Sequence, residues 1–198
     1  MMKIMKLLLA SSSSYRKQQL AKLGIAFDTF SPDIDETPLP SENPVSLTTR
    51  LARNKARAAV EQYPGHRIIG SDQVASLDGR IMGKPHTVQN AVEQLMCCCG
   101  RKVTFYTGLC LLNPVTGHEQ TISVPFSVFF RHLSEQQIRR YVQLEKPLDC
   151  AGSFKCEELG IALFSKMEGD DPSSLVGLPL IQLNEMLFQE GVDVLRGA

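Results

Sequence analysis

The run Leu7-Leu8-Leu9-Ala10 stops on four serines, Ser11 to Ser14, and Tyr15, Arg16 and Lys17 follow at once. An apolar run behind Lys6 predicts a short buried strand, Lys6 to Ala10. The hydroxyl-rich break predicts a serine-capped helix from Ser13 to Leu23, closed by Gly24. A strand turned directly into a helix points to α/β architecture, and the rest of the chain repeats the alternation.

Ala26 to Phe30 reads as a second strand, and the prolines of SPDIDETPLPSENP forbid regular structure until Pro44 opens a helix behind Asn43. That helix is expected to reach about Gln62, with Leu47, Leu51, Ala58 and Ala59 facing inward. RIIGSDQVASL reads as a strand, Asp78-Gly79 as a hairpin turn, and Thr87 as the cap of a helix ending near Gly100. VTFYTGLCLL and TISVPFSVFF are long strands joined by NPVTG, and Pro125 implies an edge or a bulge in the second. Ser134 and Gln137 form a capping box for Glu135 to Leu144. GIALF reads as a strand, EGDDPSS as an acidic turn, and Pro179 to about Glu190 as the last helix. The expectation is one domain over residues 1–198, with a mixed central sheet flanked by helices and bent into two lobes around a cleft.

Of the 198 residues 43% are apolar, enough for an ordinary core. Lys and Arg number 21 and Asp and Glu number 21, so no overall field draws the chain onto a nucleic acid polymer or an anionic membrane. Any polyanion must be held by local cations. The apolar stretch at the N-terminus is shorter than the ~7–15 residues of a secretory core, and no stretch approaches the ~20 apolar residues of a membrane helix. A cytoplasmic protein with reduced thiols is expected. Cys97, Cys98 and Cys99 are adjacent, so on a helix they point about 100° apart and cannot converge on one ion. They read as small apolar fillers at a helix end.

Three polar features interrupt places that would otherwise be apolar. Backbone N–H groups at a helix start, serine hydroxyls, Arg16 and Lys17 suit a phosphate, although a serine there serves equally as an ordinary cap. Asp33, Asp35 and Glu36 offer hard oxygen ligands for a cation such as magnesium, and acidic loops are as often simply solvated. Asp72 ends the apolar run RIIG, where a carboxylate is costly to bury unless paired; a turn-holding role is the alternative. Lys55 and Lys84 either complete a phosphate pocket or lie on the surface. The four histidines show no metal or nucleophile spacing, and no GxSxG elbow is present.

Taken together and in order, LLLASSSSYRKQQL, PDIDETP, RLARNKARA, IIGSDQV, GKP, VTFYTGL, AGSFKCEELG and LVGLPL resemble the Maf family of nucleoside triphosphate pyrophosphatases from end to end, most closely its YceF branch, known for hydrolysing 7-methyl-GTP. The resemblance implies a two-lobed mixed α/β fold like that of the inosine triphosphatases, with nucleotide in the cleft between the lobes. The family pattern SxSPRR, or SxSPWRR in this branch, falls on Ser11, Ser13, Ser14, Tyr15, Arg16 and Lys17. Here Ser14 replaces proline, Lys17 replaces arginine, and the aromatic residue is Tyr15 rather than tryptophan.

By the same resemblance Asp72 is the proton acceptor for water, Glu36 and Asp72 hold a divalent cation (magnesium or manganese), and Ser11, Ser13, Arg16, Lys17, Lys55 and Lys84 contact phosphate. Tyr15, Gln73 and Glu157 are the specificity positions, which hold Arg, Thr and Gln in the branch acting on dTTP and UTP. An aromatic face and a carboxylate suit a cationic 7-methylguanine. The expected reaction is hydrolysis of 7-methyl-GTP to 7-methyl-GMP and pyrophosphate, and a homodimer is plausible by the same resemblance. Two alternatives stand beside it: the same chemistry on UTP, dTTP or another modified nucleotide, and a non-catalytic nucleotide-binding regulator of cell division.

Overall fold

Two strands, β3 (His66–Leu77) and β5 (Lys102–Asn113), are 12 residues each and pair antiparallel from Ile68 opposite Leu112 to Leu77 opposite Val103. They run through both halves of the molecule, and the other elements attach to them. The computed structural model describes residues 6–156 and 158–196. Among these, β1 (Lys6–Ala10), β2 (Phe27–Phe30), β4 (Arg80–Met82), β6 (His118–Phe130) and β7 (Phe164–Glu168) complete a mixed sheet in the order β2-β1-β3-β5-β6-β7, with β4 on β3. β1 is parallel to β2 and β3; the remaining pairs are antiparallel.

Among the described residues five α-helices, α1 (Ser14–Ala21), α2 (Pro44–Arg57), α3 (Val88–Cys98), α4 (Glu135–Glu145) and α5 (Leu180–Gln189), cover the sheet. At one end Leu8, Ile68 and Leu112 pack under Ala52 and Ala56 of α2, while Leu7, Leu9, Ile69 and Leu111 face Leu20 of α1 and Leu183 and Leu187 of α5. The alternation is that of strands buried on both faces. At the other end Ala75, Val103, Phe126 and Val128 pack under Leu95 of α3 and Ile138 of α4. Between the two cores lies a polar band containing Ser71, Asp72 and Thr107, all buried. The expected two-lobed α/β architecture is therefore present, with polar groups at the junction.

Side chains at the predicted caps do what their spacing implies. Ser13, Asn43, Thr87 and Ser134 each accept from a backbone N–H three residues on, and Ser134 completes its box with Gln137. Asp78 and Gly79 both take positive φ, as a two-residue hairpin of this kind requires. Pro125 lies opposite Tyr106 where β7 does not reach, and the irregularity in β6 falls later, at Phe129 and Phe130.

Three local expectations need correction. α2 ends at Arg57, because the next turn tightens to bonds from Ala59 to Ala56 and from Val60 to Arg57; Ala59 is buried and Ala58 faces solvent. Residues 159–163 form a 3₁₀ turn instead of a strand, and pairing with β6 begins only at Phe164. Of the adjacent cysteines only Cys98 is a buried filler, its thiol pushed up to about 12 by burial, whereas Cys97 is exposed.

One packing contact sets the position of α2. A Cβ at Gly70 would collide with the carbonyl oxygen of Ala52, and one at Gly108 with that of Thr48. The helix backbone thus lies directly on β3 and β5. Gly108→Ala is expected to lower stability by about 1–3 kcal/mol through overpacking, read as a reduced urea midpoint with an unchanged slope.

Candidate functional site

The site opens where β3 loses a neighbour. β1 pairs with His66 to Gly70 and β4 with Ala75 to Leu77, which leaves Ser71 to Val74 without a strand partner on that edge. Period-two alternation sends Asp72 toward α2 and sends Ser71 and Gln73 to the opposite face. Two cavities meet at this gap, one of about 520 Å³ and one of about 150 Å³, and Ser13, Tyr15, Arg16, Gln73 and Lys84 line both.

In the larger cavity Lys55 is the central cation. Its Nζ lies 2.7 Å from Asp72 Oδ1 and 2.8 Å from Glu36 Oε1. Lys55 and Asp72 are only 6% and 7% exposed, so the reading of Lys55 as a surface lysine is overturned: neither charge would be tolerated there without the other. Of the three acidic loop residues only Glu36 lines the cavity; Asp33 and Asp35 face solvent, and Asp35 accepts from Thr37 N–H. Burial raises the Glu36 pKa, but the Lys55 hydrogen bond and the charges of Lys55, Lys84 and Arg16 outweigh it and hold the carboxyl below its ordinary value.

The serine-rich turn holds Arg16 in place. Ser11 Oγ accepts from Ser13 N–H at 3.2 Å and from Arg16 Nη1 at 3.3 Å, and Ser13 Oγ caps α1 by accepting from Arg16 N–H. Arg16 Nε donates to the carbonyl of Gly177 at 2.8 Å. Burial lowers the guanidinium pKa, and the Asp72 and Glu36 carboxylates oppose that shift. Lys84 reaches the cavity from the segment after β4, whereas Lys17 is exposed on α1 and lines neither cavity.

The smaller cavity has an aromatic floor. Phe105 and Phe154 meet edge to face with centroids 5.1 Å apart, and Tyr15, Asp149, Cys150 and Lys155 also line the cavity. Burial and the neighbouring Cys150 raise the Tyr15 hydroxyl pKa, and Lys155 pulls it the other way. Gln73 Nε2 donates to Ser174 O at 2.7 Å, Leu175 O at 3.2 Å and Thr107 Oγ1 at 3.0 Å. Two carbonyl acceptors identify that atom as the nitrogen, and the amide oxygen takes no part in these three bonds. Glu157, the third expected specificity residue, lies outside the described residues.

A model of Maf-like proteins matches residues 6–190. The chain belongs to the Maf family. It is 55% identical over 188 residues to the 7-methyl-GTP pyrophosphatase of Pseudomonas aeruginosa, covering 95% of this chain and 98% of that one. It is 54% identical over 189 residues to the protein of the same name from Nitrosococcus oceani, covering 96% and 95%. The Staphylococcus aureus Ham1 protein shares the fold, with a TM-score of 0.53 at 13% identity over 93% of this chain and 99% of that one.

Several contributors to this Maf cleft carried no local signal. Phe105 lies within VTFYTGLCLL and Phe154 and Lys155 within AGSFKCEELG with nothing in either stretch to single them out, Asp149 lies outside these motifs, and Gly177 acts through its carbonyl. Lys55 was legible as a candidate by residue type, but its burial follows from the contact of α2 with Gly70 and Gly108.

The lowered Glu36 pKa sets a pH dependence. Stability from this group is fully present above its ordinary value of 4.5 and is lost as pH falls through the lower folded value. Glu36→Gln should therefore flatten the part of the acid limb of a stability–pH curve that lies below about 4.5, measured by urea unfolding.

Proposed function

We propose that this protein hydrolyses nucleoside triphosphates between the α and β phosphates, with 7-methyl-GTP as the preferred substrate and 7-methyl-GMP and pyrophosphate as products. The observation that carries the reading is the buried Lys55–Asp72 pair with Glu36, set opposite Arg16 and Lys84 across a cleft whose other arm is a small aromatic pocket. The names of relatives sharing more than half their residues with this chain support the same reading.

The donor chemistry fits a divalent cation. Glu36 and Asp72 are two hard carboxylates already converging on one positive charge, and magnesium is commonly held by one or two carboxylates plus substrate phosphates. No group of three or more acidic, His or Cys ligands forms among the described residues. Magnesium or manganese bound there supplies charge neutralisation at the phosphate oxygens.

The chain's own residues do the rest. Asp72 Oδ1 is taken by Lys55, which leaves Oδ2 to orient a water and accept its proton. The water oxygen bonds to the α-phosphorus, the bridging P–O bond breaks, and its electron pair leaves with pyrophosphate. Arg16, Lys84 and Lys55 offset the charge that develops on the leaving group. On the base side Tyr15 offers a flat ring to a cationic purine, and the Gln73 amide oxygen accepts from a ring N–H or amine.

Pyrophosphate release from 7-methyl-GTP, GTP, UTP, dTTP and CTP, with magnesium or manganese and then with EDTA, tests the proposal directly. The expected order places 7-methyl-GTP first and shows loss of turnover on chelation. Asp72→Asn, in which Glu36 remains as the counter-charge of Lys55, should be less stable but still folded, and should lose about 10²–10⁴-fold in kcat, the usual share of a general base. Tyr15→Ala should lower kcat/KM for 7-methyl-GTP more than for GTP, because only the methylated base carries the charge that stacking rewards; equal losses would exclude that role.

A further inference from the structure

The acidic stretch Asp170-Asp171-Pro172 contains, among the described residues, the most deeply buried carboxylate outside the cleft. Asp171 is 0% exposed and lines neither cavity. Among the described residues no lysine, arginine or histidine pairs with it; its partners there are hydroxyl and backbone donors. Oδ1 accepts from the N–H of Ser173 at 3.0 Å and from the Ser173 hydroxyl, and Oδ2 accepts from the N–H of Ile181 at 2.9 Å. Ser173 Oγ in turn accepts from Leu180 N–H at 2.7 Å, and Ser174 Oγ donates to the Asp171 carbonyl at 2.6 Å. One carboxylate thus ties the start of the 3₁₀ turn Pro172–Val176 to the first residues of α5.

The span between those ties is the one whose carbonyls face the cleft. Ser174 O receives Gln73 Nε2 and the Thr107 hydroxyl, at 2.7 and 2.8 Å, and Gly177 O receives Arg16 Nε and the Ser71 hydroxyl, at 2.8 and 2.9 Å. These carbonyls decide which end of the Gln73 amide is exposed and where the Arg16 guanidinium is held. A turn free to rotate its peptide planes would let Gln73 present either its oxygen or its nitrogen.

We infer that Asp171 is a positioning residue that sets the polarity of the base pocket: through the carbonyls of residues 174–177 it fixes Gln73 with its amide oxygen toward the base, and so selects bases that offer a donor there. The inference rests on the proposed nucleotide-binding role of this cleft and deepens it. A carboxylate suits the task because it accepts three N–H or O–H groups without offering a donor of its own.

Calorimetric binding to the full chain of 7-methyl-GMP, whose ring N1–H is a donor, and of AMP, whose ring N1 is an acceptor, separates the possibilities, since it requires no turnover. The wild-type protein should bind 7-methyl-GMP more tightly. In Asp171→Asn an amide N–H₂ must face either Ile181 N–H or the Ser173 donors, and the ratio of the two affinities should fall about tenfold, the worth of one misplaced hydrogen bond. Ser173→Ala should lower the ratio in the same direction, and Ser173→Thr, which keeps the hydroxyl, should restore it. A purely structural role predicts instead equal weakening for both nucleotides. An unchanged ratio in folded Asp171→Asn, or in Ser173→Ala should the first variant not fold, overturns the inference. A wild-type protein that binds neither nucleotide overturns the reading of the cleft itself.

Discussion

The seating of α2 on the β3–β5 pair is the contact on which the site depends. Helix and sheet backbones come this close only because positions 70 and 108 carry no side chain, and Gly108 stands directly opposite Asp72 in the sheet. From there the next helical turn carries Lys55 to the Asp72 carboxylate and leaves its ammonium almost wholly out of water. A buried ion pair adds little net stability, since desolvation offsets much of the attraction, yet either partner alone would be strongly unfavourable. The burial of Lys55 and Asp72 is therefore imposed by the packing of the helix above them, not by any large stability that the pair contributes.

The second constraint is the interrupted edge of β3. A continuous neighbour would have covered residues 71–74; instead β1 stops at Ala10, the chain turns through the serines, and β4 pairs with β3 only from Ala75, three residues beyond Asp72. Strand alternation then divides the work between two faces of the same short segment. Asp72 meets Lys55, which also pairs with Glu36, on one face, while Gln73 lines the aromatic pocket on the other, and Arg16 and Lys84 reach both cavities. A polyanionic ligand with a flat base matches that division, because phosphates and base need opposite surroundings.

Elements governed by near neighbours in the chain were legible. Ser13, Asn43, Thr87 and Ser134 mark helix starts because a cap is a bond between a side chain and an N–H three residues away. The misread segments depend on distant partners. GIALF has the composition of a strand, but a strand needs a neighbour, and β6 becomes available only from Phe164. Ala58 fits a helical face by periodicity and turns outward because the last turn tightens. Lys17 sits in the cationic motif beside Arg16 yet points away from the cleft, since neighbouring helix positions diverge by about 100°.

By itself the sequence determined the order of strands and helices, the apolar faces that divide into two cores, and the residue types available for chemistry: Arg16, Glu36, Lys55, Asp72, Gln73 and Lys84 are all identifiable as polar interruptions or motif members. Only the tertiary structure decided how they act. Arg16 is oriented by a carbonyl 161 positions away, and Gln73 by one 101 positions away. Every residue carries such a carbonyl, so no residue type announces it, and its role exists only once the fold has brought it to the right side chain.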